Sequence, residues 1–128
     1  MNEKVVRILK NQIWYLATCS DEPNAVPVAF KDVTDDGKLV VGDVFLETTL
    51  NNIKTNGKIA VSACDSATME GYQIKGTAQY VTDEPVVETF QKLVSDLFHG
   101  TMTAKGALII TPEKVIVTTP GPDNKKEL

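Results

Sequence analysis

Lys38–Cys64, KLVVGDVFLETTLNNIKTNGKIAVSAC, decides how this chain is read. Lys38–Val44 is an apolar strand, Leu50–Thr55 a short helix and Lys58–Cys64 a second apolar strand. Thr48 or Thr49 supplies the N-cap, and Asn56-Gly57 the stop. A helix N-terminus beside a sheet edge presents unpaired backbone N–H groups and the positive end of the helix dipole. Such a place suits a phosphate. Thr48 and Thr49 add hydroxyl groups, and Asn51 and Asn52 add amides in the first turn. A plain capped helix joining two strands would use the same residues.

The flanking sequence supplies more strands. Glu3–Asn11 has helical spacing, with Val5, Val6 and Leu9 on one face and Ile8 beside them. Ile13–Thr18 is a strand, Ser20–Asn24 a turn and Ala25–Phe30 the returning strand. Pro27 donates no ladder bond, so it marks an edge, a bulge or a place where a ligand meets the backbone. Thr34-Asp35-Asp36-Gly37 is a second hairpin turn. In this order Val26–Phe30 and Gly42–Phe45 are neighbours, and a flat heteroaromatic ring would lie well on them. A packed barrel face would have the same composition.

Beyond Cys64, Asp65–Gly71 is a polar loop. Tyr72–Val81 alternates cleanly, with Tyr72, Ile74, Gly76, Ala78 and Tyr80 on one face. Thr82–Pro85 opens another helix, whose stripe is Val86, Val87, Phe90, Leu93, Val94, Leu97 and Phe98. Gly100 ends it. Ala107–Ile110 and Lys114–Thr118 are strands flanking Thr111-Pro112-Glu113, and the polar tail 121–128 reads as loose. These elements predict a mainly β, α+β domain over residues 1–120. Its core is a six- or seven-stranded antiparallel barrel with flanking helices, since a parallel sheet would need a helix between most strands.

Composition narrows the function. With 17 acids against 13 bases the net charge is −4, which argues against non-specific nucleic-acid binding. No apolar run nears the roughly 20 residues that span a bilayer. The N-terminus has no signal-peptide stretch, and a cytoplasmic location is expected. Cys19 and Cys64 form no close pair and read as core thiols, so a metal site is not expected. His99 is the single histidine and sits at a helix end, where a structural role suffices. Asp35-Asp36 and Asp83-Glu84 are explained as turn and cap residues. No catalytic constellation is visible, which leaves binding chemistry.

In order, YLATCSDEPNAVPVAF, KLVVGDVF, TTLNNIKTNGKIAVSAC, GYQIKGTAQYV and KGALIITPEKVIV make the chain resemble the FMN-binding split-barrel family related to pyridoxamine 5′-phosphate oxidase. The resemblance implies a split barrel, a homodimer and FMN in clefts at the dimer interface. It implies a flavin ring against Pro27, Val28, Ala29, Phe30, Asp43, Val44 and Phe45. The phosphate would sit at Thr48 and Thr49, with Asn52 supporting the first turn. It further implies electron transfer or a small reductase activity with an unnamed redox partner. The family often has Lys or Arg just before the Thr/Ser of the phosphate site; here Thr48 takes that place, with Glu47 before it. An acid there costs Coulomb energy unless it points away. Lys31, Lys54 or a lysine of a partner subunit would have to compensate. The departure favours an alternative ligand, haem (with His99 as axial ligand) or a deazaflavin, or a non-catalytic binding module. The long C-terminal extension of the true oxidases is missing, so pyridoxamine-phosphate oxidase activity is not expected.

Overall fold

The computed structural model describes residues 1–128. Its elements are α1 (Glu3–Asn11), β1 (Trp14–Cys19), β2 (Pro23–Val28), β3 (Lys31–Val33), β4 (Leu39–Asp43), α2 (Glu47–Asn56), β5 (Lys58–Cys64), β6 (Gly71–Val81), α3 (Pro85–Leu97) and β7 (Gly106–Val117). The seven strands form one antiparallel sheet in the order β2-β1-β5-β6-β7-β4-β3. β2 and β3 are its two edges, yet only Ala29 and Phe30 separate them in the chain. A link that short spans roughly 10 Å, so the edges must lie close together and the sheet must curl. Gly42 N–H donates to Phe30 O at 2.9 Å, which carries the β3–β4 ladder one residue into the link. The result is a curled half-barrel with three flanking helices.

Alternation decides which side chains enter the barrel. β1 buries Trp14, Leu16 and Thr18 and exposes Tyr15, Ala17 and Cys19. β5 and β6 add Val61, Ala63, Tyr72 and Ile74 to the same core. α1 covers one end with Val5, Ile8 and Leu9. Its C-terminal carbonyls are not left to solvent. Leu9 O accepts from Trp14 Nε1 at 2.7 Å and from Lys31 Nζ at 2.8 Å, and Lys10 O accepts from Lys31 Nζ at 3.3 Å. The Lys31 amine lies 5.4 Å from the Trp14 ring, a cation–π contact. Packed against the barrel, α3 makes a second core of Val87, Phe90 and Val94 with Val40, Ala104 and Ala107.

Several expectations change. Sequence spacing predicts two strands at the C-terminus, but β7 is continuous through Pro112. The register shifts opposite Lys75/Gly76, which leaves Glu113 as the extra residue of a bulge. β4 reaches only Ile110 on the other side, so the missing N–H of Pro112 breaks no bond there. The tail is not loose. Lys125 N–H donates to Val117 O, Val117 N–H to Lys126 O and Leu128 N–H to Val115 O, at 2.8–2.9 Å, covering the β7 edge that β4 leaves open. The cysteines are not core thiols: both are exposed, at the ends of β1 and β5. Alternation explains this, because each sits on the outward parity of its strand. In α3 five of the seven stripe residues pack inward, while Leu93 and Leu97 face solvent. The Ala25–Phe30 strand starts and stops earlier, and Lys31–Val33 forms the separate edge strand β3.

Two glycines test this account. A Cβ at Gly76 would overlap the Thr111 carbonyl at the bulge. Gly37 has φ +82° in the β3–β4 turn with open space around it. Gly76→Ala should lower the unfolding free energy by about 3 kcal/mol, the overpacking range. Gly37→Ala should cost only about 1 kcal/mol, the price of the backbone conformation alone. Urea titration of both variants checks the ranking; equal costs would contradict the tight β6–β7 approach.

Candidate functional site at the barrel seam

The curl leaves a cleft where the two sheet edges meet. It has a volume of about 200 Å³. One wall is the end of β2 and the link, Val26–Phe30; the other is Gly42, Val44, Phe45 and Leu46 after β4, and Phe98 closes one side. Phe30 and Phe98 meet edge to face, with ring centroids 6.1 Å apart. The surface is apolar, and it carries an aromatic side chain, Phe45, that is 78% exposed. A small patch of this kind marks a place for a flat ligand or a partner.

Of the residues the sequence singles out, Pro27, Val28, Ala29, Phe30, Val44 and Phe45 line this cleft. They converge although β2 and β4 are not hydrogen-bonded neighbours, because the seam brings them together. Asp43, Thr48, Thr49 and Asn52 do not line it. Val26 and Gly42, which belong to the two stretches read as a ring surface, line it too, whereas Leu46 and Phe98 line it without a signal of their own, since each looks like ordinary core.

Asp43 is 2% exposed and points into the protein. Its Oδ1 accepts from Leu46 N–H at 3.1 Å and its Oδ2 from the Tyr80 hydroxyl at 2.7 Å. The Tyr80 hydroxyl is pushed up to about 12, by burial first and by the adjoining Asp43 carboxylate second.

α2 begins earlier than the capping pattern predicts. Leu46 is the N-cap, without a side-chain cap bond, and Thr48 and Thr49 lie within the first turn. The reason is local: Asp43 reaches over Leu46 and takes up its N–H, so the turn closes before the threonines. The first intrahelical bond runs from Leu50 N–H to Leu46 O, and the N–H groups of Glu47, Thr48 and Thr49 have no protein acceptor. Thr48 is exposed. Thr49 is buried, and its hydroxyl accepts from Asn24 Nδ2 at 3.3 Å. Asn52 turns inward and donates from Nδ2 to the Thr18 hydroxyl at 3.0 Å. The helix stops as expected at Gly57, whose φ is +70°.

The basic residues offered as compensation for Glu47 are elsewhere. Lys31 holds the end of α1, and burial lowers its amine below the ordinary lysine range. Lys54 is in the last turn of α2, about 9 Å along the axis from Thr48. His99 follows the end of α3 with φ +54°, on the exposed side of the chain reversal next to Phe98.

A family model described as pyridoxamine 5′-phosphate oxidase matches residues 1–120. The chain belongs to the pyridoxamine 5′-phosphate oxidase family. An uncharacterised protein of Methanocaldococcus jannaschii is 30% identical over 130 aligned positions, covering 98% of this chain and 86% of that one. Among solved structures, HupZ of Group A Streptococcus superposes with a TM-score of 0.81 at 25% identity, over 96% of this chain and 98% of that one. An FMN-binding protein of Syntrophomonas wolfei gives a TM-score of 0.78 at 14% identity, over 93% and 87%, which shows a shared fold alone. The split barrel of the pyridoxamine 5′-phosphate oxidase family is thus the fold of this chain, with its FMN-binding members among the structural neighbours.

The raised Tyr80 hydroxyl gives a pH dependence of definite sign. The folded chain keeps this proton to about pH 12, whereas an unfolded tyrosine releases it near the ordinary tyrosine value of 10.0. The resulting stabilisation is complete below pH 10 and is lost as pH rises through 12. The urea midpoint should therefore fall across that window, and fall less steeply in Tyr80→Phe. An unchanged slope would separate Tyr80 from the alkaline transition.

Proposed function

We propose that this chain is an FMN-binding flavoprotein, homodimeric, that works in electron transfer or as a small flavin-dependent reductase. The observation that carries the reading is the seam cleft. An apolar slot lined by Val26–Phe30 and Val44–Leu46 opens beside three helix N–H groups without an acceptor. The slot fits a planar ring, and the N–H groups of Glu47, Thr48 and Thr49 fit a phosphate. Bound flavin would supply the redox chemistry. The chain's own residues bind the ring, orient it through Gly42–Leu46 and keep water from one of its faces. They provide no acid–base set, and electron transfer needs none.

A second copy is part of the reading. The cleft volume is below the roughly 300–1,000 Å³ of a typical ligand pocket, so one chain supplies only part of the enclosure. The outer faces of β1 and β2 pair Tyr15 with Pro27 and Ala17 with Ala25, all exposed. Ile13 beside them is 53% exposed and Tyr15 54%. This apolar face runs directly into the cleft wall at Pro27. A second copy laid on it would cover both at once.

A second reading rests on Glu47. Its carboxylate belongs to the helix turn that would face a phosphate, and neither Lys31 nor Lys54 reaches that turn. A planar ligand without a phosphate there, haem for example, avoids the repulsion.

Purified protein should be yellow, or turn so on FMN titration, and elute as a dimer. A colourless protein that takes up haem instead would replace the first reading by the second. Tyr15→Glu should produce monomers and weaken FMN binding at least tenfold; a monomer with unchanged affinity would remove the dimer from the site. Glu47→Lys should tighten FMN about fivefold at low salt, with a smaller gain at high salt. No gain would place the phosphate away from α2.

A further inference from the structure

Asp43 and Tyr80 form a hydrogen-bonded polar pair in the barrel wall, and neither side chain lines the cleft. Their placement is built from several elements. Asp43 ends β4, Tyr80 stands near the end of β6, and β7 runs between them. Asp43 pairs with Gly106 across the β4–β7 ladder. A Cβ at Gly106 would lie 2.5 Å from the Tyr80 hydroxyl, so glycine there leaves the space through which that hydroxyl reaches the carboxylate. The Asp43 carbonyl is also held, accepting from Lys105 N–H at 2.8 Å.

Asp43 is therefore fixed at both its side chain and its main chain. The next three residues are the cleft wall, and Leu46 N–H returns to Asp43 Oδ1 at 3.1 Å to close their turn. Leu46 is at the same time the N-cap of α2. One carboxylate thus sets both the apolar wall and the start of the helix whose N–H groups are free.

We propose that Tyr80, acting through Asp43, is a positioning residue for the ligand: it sets the 44–46 wall and the first turn of α2 at the spacing a bound flavin needs. This rests on the flavin reading above. Neither residue touches the ligand.

Tyr80→Phe removes one hydroxyl and keeps the ring. It should raise the dissociation constant for FMN roughly tenfold, the scale of one buried hydrogen bond to a carboxylate. The visible spectrum of the bound flavin should shift toward that of free FMN, which a general loss of stability would not produce in the folded fraction. Asp43→Asn retains an acceptor for Leu46 N–H and a donor toward the Tyr80 oxygen, so it should recover most of the affinity lost in Asp43→Ala. Amide exchange at Leu46 in ligand-free protein should accelerate in Tyr80→Phe and Asp43→Ala. Wild-type affinity and spectrum in a folded Tyr80→Phe variant would overturn the positioning role alone. A wild-type chain that binds no FMN would overturn it together with the flavin reading.

Discussion

Two residues, Ala29 and Phe30, constrain the whole molecule. They join strands that lie at opposite edges of a seven-stranded sheet. An open sheet of that width would hold its edges roughly 28 Å apart at ordinary strand spacing, far beyond the reach of such a link. The sheet has no choice but to curl, and the right-handed twist of its strands gives it the means. The seam cannot zip into a full ladder, because β3 is three residues long and Pro27 removes a donor from β2. The Gly42–Phe30 bond extends the β3–β4 ladder into the link and does not bridge the two edges. A cleft at this position is the geometric remainder of a barrel forced together but not sealed.

The β6–β7 ladder carries the load on the opposite side. These are the two longest strands, and each belongs to two functions of the sheet. Its inner half closes the core with Ile74 and Ile110, while its outer end supplies Tyr80 and Gly106 to the Asp43 corner. The bulge at Gly76 lets one continuous β7 serve both regions by changing register midway. Asp43 therefore links the ladder to the seam. The turn it anchors is held at Leu46 by the main core and at Val44 by the second core, while Phe45 between them is exposed.

Much of this was legible in the residues themselves. α1 and β5 follow their periodicity to the residue, and Gly57 and Gly37 take the positive φ that their turn positions require. Elements whose limits are set by distant partners were less legible. β3 exists only because β4 offers it an edge, and β7 stays whole only because β6 accepts the bulge. Side-chain direction failed in a similar way. Asn52 and Thr49 occupy the helix turn expected of them, but Thr18 and Asn24, more than twenty residues away, turn their polar groups inward. Asp43 carries an acidic side chain beside a ring-binding strand, and only Tyr80, far along the sequence, shows that it faces the core. Phe98 reads as the last position of an apolar helix stripe, although it stands against Phe30 at the cleft.

The charge at α2 follows from the same division of labour. A phosphate beside this helix would meet N–H dipoles and the Glu47 carboxylate, with neither Lys31 nor Lys54 in reach. Lys31 directly follows Phe30 of the cleft, but α1 ends over Trp14 and its last carbonyls need a donor in a place largely closed to water. The fold uses this cation at that helix end. Because the end of α1 holds Lys31, cofactor charge would have to be balanced by other cations, a basic side chain of a second copy among them. The exposed Tyr15–Pro27 face, adjoining the cleft, is where such a copy would stand. Ligand affinity and association would then be linked equilibria, each favouring the other, and the weak electrostatics of the isolated site would be a property of the half-site rather than of the assembly.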